Sequence, residues 1–169
     1  PVTILCVGRA VEKKGIDEGD VDLATAGQRS FQAYDLDDAL AAADFARGAA
    51  ILGDLFAEGE RSEVILGRLA GFLRDVLAAQ AWLREKSRTK DEIFQSVFPY
   101  ISRNYADLYR RKYENFFGTV EGLVPAELNA LLRKLRQLDR TLKTTGSKDA
   151  GEKVLFETFL REYCLARKK

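Results

Sequence analysis

Apolar residues recur at three- and four-residue steps along most of this chain, and no segment alternates with the period of two expected of a half-buried strand. That pattern confines the chain to an all-α fold. In the longest stretch, Ile65, Leu66, Leu69, Phe72, Leu73, Val76, Leu77, Ala81 and Leu83 cover more than one stripe of a helix. A helix that is apolar on two sides needs neighbours on both, so this one is predicted to be the central rod of a five- to seven-helix bundle. The 169 residues, 46% of them hydrophobic, suffice for a sizeable core. With 31% charged residues and no apolar run near the roughly 20 residues that a membrane span requires, neither a transmembrane helix nor a signal peptide is expected, and the cytoplasm is the expected location.

Caps, prolines and glycines divide the chain further. Residues 2–12 read as the tail of a helix closed by Gly15, Asp17 to Gly27 as a short helix, and 28–34 as a linker. A domain boundary is therefore expected there, with residues 1–30 ending one domain and 31–169 forming a helical one. Asp35 with Asp38 marks the next start, and Asp44 the one after, with Phe45, Ala49, Leu52 and Phe56 inward as far as Gly59. Ser62 is the expected cap of the rod. Thr89 caps a short helix ending near Pro99, and Pro99 suits the first turn of the next. That helix places Ile101, Tyr105, Leu108, Tyr109, Tyr113 and Phe116 on an apolar stripe, opposite Arg103, Asp107, Arg110 and Arg111.

Gly118 and Gly122 are predicted to open a loop. Pro125 begins a regular helix with Leu128, Leu131, Leu132, Leu135, Leu138 and Leu142 inward and Arg133, Lys134, Arg136 and Arg140 outward, closed by Gly146. Asp149 and Glu152 make a capping-box-like start for the last helix, which buries Leu155, Phe159, Leu160 and Tyr163. Because the chain opens on Pro1 and contains no Met, it is expected to be a piece of a longer protein.

The sequence lacks His, and with it the commonest general base and metal ligand. It also lacks both glycine-rich patterns that cradle phosphates, so catalysis and nucleotide hydrolysis are not expected. Cys6 and Cys164, far apart and outside any C-x-x-C spacing, read as small buried residues, and no cofactor or metal is called for. Asp35, Asp37 and Asp38 could hold a divalent cation, but a helix N-terminus attracts carboxylates for dipole reasons alone. Residues 1–60 hold 5 Lys/Arg against 12 Asp/Glu, a net of −7, whereas the rest hold 22 against 14, a net of +8. A basic half can face nucleic acid or acidic neighbours, though solvated helix faces explain it more simply. Arg103, Arg110, Arg111 and Lys112 interleave with Tyr100, Tyr105, Tyr109 and Tyr113, as on a single-strand-binding surface. Those rings fall on the apolar stripe, however, which favours packing. Trp82 reads equally as core or as an interface anchor.

Several segments, taken in order, resemble the C-terminal part of the delta subunit of bacterial DNA polymerase III. They are residues 34–40, Ile51-Leu52 through Leu55 to Glu60, Ile65 to Arg74, Phe98-Pro99-Tyr100 and Leu138 to Gly146; Gly15 to Ala26 is similar to the end of that family's lid domain. Phe98 stands where the family usually has a histidine, and the loop 118–124 looks longer. The resemblance implies a helical collar domain of the clamp loader, which places the sliding clamp on primed DNA. It implies gamma/tau and delta prime subunits as partners, the clamp only through an N-terminal domain outside this chain, DNA indirectly, and no ATP hydrolysis. The candidate subunit-interface residues are then Trp82, Arg103, Arg110, Arg111, Arg133, Arg136, Arg140 and Lys143.

Overall fold

The structure, a computed structural model, describes residues 35–99, 101, 106–145 and 150–167. Among the described residues it is an all-helical bundle without strands. A helix through residues 35–41 (α1) is followed by α2 (Phe45–Ala57), α3 (Ser62–Arg84), α4 (Lys90–Val97), α5 (Ala106–Gly122), α6 (Pro125–Thr145) and α7 (Ala150–Arg167). The proposed domain boundary, the two upstream helices and Cys6 lie outside the described residues.

As its two-sided apolar pattern requires, α3 is the rod: α4, α5 and α6 all pack against it, and α7 joins α6 to α2. Ile65, Leu69, Phe72, Leu73, Val76 and Ala79 are its buried positions. Facing them, α6 buries Leu128, Leu131, Leu135 and Leu138, and α7 contributes Phe156, Phe159, Leu160, Tyr163 and Cys164. The Phe72 ring packs edge-on against both Phe116 of α5 and Tyr163 of α7, which places it where three helices meet. Where α2 packs on α7, glycine at position 48 leaves room for the Leu160 side chain; a Cβ there would lie 3.1 Å from Leu160 Cδ1.

Asp44 caps α2 through its carboxylate, which accepts from Arg47 N–H at 3.0 Å. Thr89 and Glu92 form a reciprocal capping box on α4. Pro125 opens α6, where the Glu127 carboxylate accepts from Val124 N–H. Three helices end in the same Schellman pattern, in which a residue of positive φ turns its own N–H and the next one back to carbonyls of the last turn. In α1 the pivot is Ala43 (φ 51°), with Asp44 N–H on Ala39 O and Ala43 N–H on Leu40 O. In α2 it is Gly59 (φ 75°), and in α3 Lys86 (φ 52°). Only one of the three is glycine, so two pivots hold a strained left-handed conformation.

Several boundaries depart from expectation. Pro99 lies in a turn closed by Ile101 N–H on Phe98 O, and Ile101 is not helical, so no helix runs from Pro99; α5 is described from Ala106. At its other end α5 continues through Gly118 to Gly122, leaving only Leu123 and Val124 as the connection. That end is closed from outside, for Gln80 of α3 donates its side-chain amide to Val120 O at 2.8 Å and to Leu123 O. Ser62 is the first residue of α3 rather than its cap; Arg61 takes that place, and the Ser62 hydroxyl instead bonds Glu152 of α7. Asp35 already lies inside α1. Phe45 and Leu108 sit on the wet edge of their stripes, 40% and 38% exposed.

A buried polar node ties α1 to the rest. Tyr163 OH donates to Leu40 O at 2.8 Å, and Thr119 Oγ1 to Ala41 O at 3.0 Å, so two terminal carbonyls of α1 are satisfied by side chains of α7 and α5. Arg167 Nε donates to the same Thr119 hydroxyl at 3.3 Å. Burial holds the Tyr163 phenol well above its ordinary pKa, so it stays a donor.

Candidate functional site

Leucine at three- and four-residue steps turns one side of α6 inward and leaves the opposite side to charge. Arg133, Arg136 and Arg140, at i, i+3 and i+7, share that exposed side and form a row about 10 Å long at 1.5 Å per residue. Two other cations of α6 are engaged: Lys134 with Glu162 of α7, and Lys143 with Asp139 one turn back at 2.9 Å. The three arginines make no ion pair or side-chain hydrogen bond among the described residues.

Beside this row, between α3 and α6, lies a groove of about 330 Å³ lined by Leu66, Ala70 and Arg74 on one bank and Leu132, Leu135, Arg136 and Asp139 on the other. It exists because Ala70, a small side chain on the rod, faces the leucines of α6. Arg74 is held over its own helix, with Nε donating to Ala70 O at 3.1 Å. Arg74 is the residue of this surface that periodicity did not single out; the signal was a small residue one turn before an arginine within an otherwise bulky stripe. A second cavity, about 310 Å³, lies near Phe56, Ser62, Leu142, Lys143 and Glu152, where charges of both signs face each other.

Among the described residues, the candidates Arg110, Arg111 and Trp82 are not brought to this surface. Arg110 pairs with Glu114 at 2.9 Å and Arg111 is exposed on α5, which packs against α3 rather than extensively against α6. Arg103, Tyr100 and Tyr105 lie outside the described residues. Tyr109 and Tyr113 pack on Phe94, with ring centroids 4.9 and 5.2 Å away, so these two rings belong to the core cluster as their spacing indicated. Half-buried Trp82 packs against the core, and the Arg88 guanidinium lies 4.4 Å from its ring centroid.

The aspartates of α1 each pair with a different helix: Asp35 with Arg47 of α2 at 3.2 Å, Asp37 with Arg68 of α3 at 3.5 Å, and Asp38 with Lys112 of α5 at 2.8 Å. Neither a shared cap nor a cation site describes them. Among the described residues no group of three or more His, Cys, Asp or Glu is placed to hold a metal ion. The Asp38–Lys112 pair is largely buried, at 16% and 12% side-chain exposure, and so pins α5 against α1. Asp37 is the anomalous member. Burial pushes its carboxyl up to about 7, opposed by Arg68 and Lys112 and reinforced by Asp38 and Asp75, and its Oδ1 has no hydrogen-bond partner. Burial also raises Asp75 on α3.

No described helix is long and apolar enough to cross a membrane. Comparison with protein-family models, curated proteins and solved structures finds no match to the chain. The class that the fold itself defines is an all-α bundle with a groove and an arginine row along one helix pair.

Proposed function

We propose that this chain is a non-catalytic assembly module of the clamp-loader type, equivalent to the collar part of a bacterial DNA polymerase III delta subunit and working in the cytoplasm in DNA replication. The observation that carries the reading is the exposed side of α6. This helix contains Leu138 to Lys143, part of the resemblance, and presents Arg133, Arg136 and Arg140 outward with no partner among the described residues. An arginine row beside an aliphatic groove suits contact with another protein, since Arg combines planar hydrogen bonding with an apolar stem. Its partners are the gamma/tau and delta prime subunits; clamp opening and DNA contact belong to other parts of the assembly.

Mixed with those subunits, the chain is expected to enter a complex on gel filtration without retaining the sliding clamp. Failure to co-elute with any of them removes the reading. A second reading, a helical nucleic-acid module unrelated to the clamp loader, draws on the same arginine row. It requires affinity for primed DNA that falls steeply with salt, and a flat salt response dismisses it.

A further inference from the structure

We infer that the groove between α3 and α6 is a docking site for an acidic amphipathic helix of a partner protein, with Arg74 and Arg136 clamping its carboxylates from opposite banks. The inference rests on the assembly reading and deepens it by naming the surface and the chemistry of what covers it.

The floor of the groove is aliphatic, with Leu66 and Ala70 on α3 and Leu132 and Leu135 on α6. About 330 Å³ accommodates one or two branched apolar side chains, the number that a crossing helix offers at an i, i+4 step. No aromatic ring lines it, so it gives a nucleobase nothing to stack on, and this separates it from a single-strand nucleic-acid platform. The charge of the banks is one-sided. Asp139, the only acidic group lining it, pairs with Lys143, so the Arg74 and Arg136 guanidinium groups carry the charge of the lining itself, while Asp75 attracts Arg74 from outside the groove. Arg133 and Arg140 extend that charge along α6, over about two turns of a docked helix. Apolar residues on one side with Asp or Glu at the flanks are the complement of this surface.

The test uses the 169-residue chain carrying Arg74→Glu and Arg136→Glu together, titrated against the gamma/tau and delta prime subunits. A charge-matched control carries Arg84→Glu and Arg161→Glu on exposed positions away from the groove. Circular dichroism and thermal melting verify that both variants keep the fold. Wild type and control are expected to bind alike, and the groove variant at least about tenfold more weakly. Equal binding by wild type and groove variant overturns the docking site while leaving the assembly reading intact; no binding by wild type overturns both. Two further results also overturn it. One is a loss confined to oligo(dT) binding, which would make the row a phosphate track. The other is a wild-type dimer in light scattering that the groove variant dissolves, which would seat a second copy there.

Discussion

Replacing Asp37 with Asn should abolish the pH dependence of one piece of this bundle's stability. The carboxyl is 14% exposed, one oxygen lacks a hydrogen-bond partner, and the other lies 3.5 Å from the Arg68 guanidinium. Burial outweighs that cation and lifts the pKa from 3.8 to about 7. Folded protein therefore holds a proton on Asp37 across a window in which the unfolded chain has released it. Stability from this group is fully present below about pH 4 and is lost as pH rises through about 7. At about 1.4 kcal/mol per pH unit, the change between pH 4.5 and pH 8 comes to about 3 kcal/mol. Asn carries no such titration but weakens the Arg68 contact. Urea denaturation of Asp37→Asn and wild type at the two pH values reports on this group together with the coupled Asp38 and Asp75, because the carboxylates that do not interact with it cancel in the difference. The variant is expected to gain about 3 kcal/mol relative to wild type on going from pH 4.5 to 8. A gap that stays constant between the two pH values refutes the claim that burial dominates at this site.

Lys86→Gly should raise stability by about 0.5–1 kcal/mol, since it relieves a left-handed pivot at an exposed position, whereas Gly59→Ala, with nothing near its absent Cβ, should cost about 1 kcal/mol by backbone strain alone. Thermal melts of the pair should move in opposite directions. Tyr163→Phe should cost about 1 kcal/mol in urea denaturation, because Leu40 O keeps the Ala43 N–H but loses the phenol. Thr89→Ala should cost about 1 kcal/mol and speed amide hydrogen exchange in the first turn of α4, where the capping box is broken.

The helices were legible in the sequence because each carries its own apolar period. The leucines of α6 and the two-sided pattern of α3 fixed both the class and the position of the rod. Caps were legible where the side chain acts locally, as at Asp44 and Thr89. Ser62 misled because its hydroxyl is claimed by Glu152 ninety residues away, which no local pattern records. Gly118 and Gly122 read as a loop because glycine weakens a helix by about 1 kcal/mol each. Buried Phe116, Phe117, Thr119 and Val120, together with the Gln80 amide at the far end, hold α5 together across them. The aspartates of α1 read as a cap because cross-helix pairing with Arg47, Arg68 and Lys112 depends on packing rather than spacing. For the candidate site, the α6 arginines were legible and the groove was not, since a groove is a relation between two helices.

Leu40 and Tyr163, joined by one hydrogen bond, are 123 residues apart. A chain made from its N-terminus exposes the last carbonyls of α1 long before the phenol that will cover them exists, and water must serve in the meantime. The bundle therefore cannot close until α7 has been made, and losing α7 would leave the end of α1 unsealed.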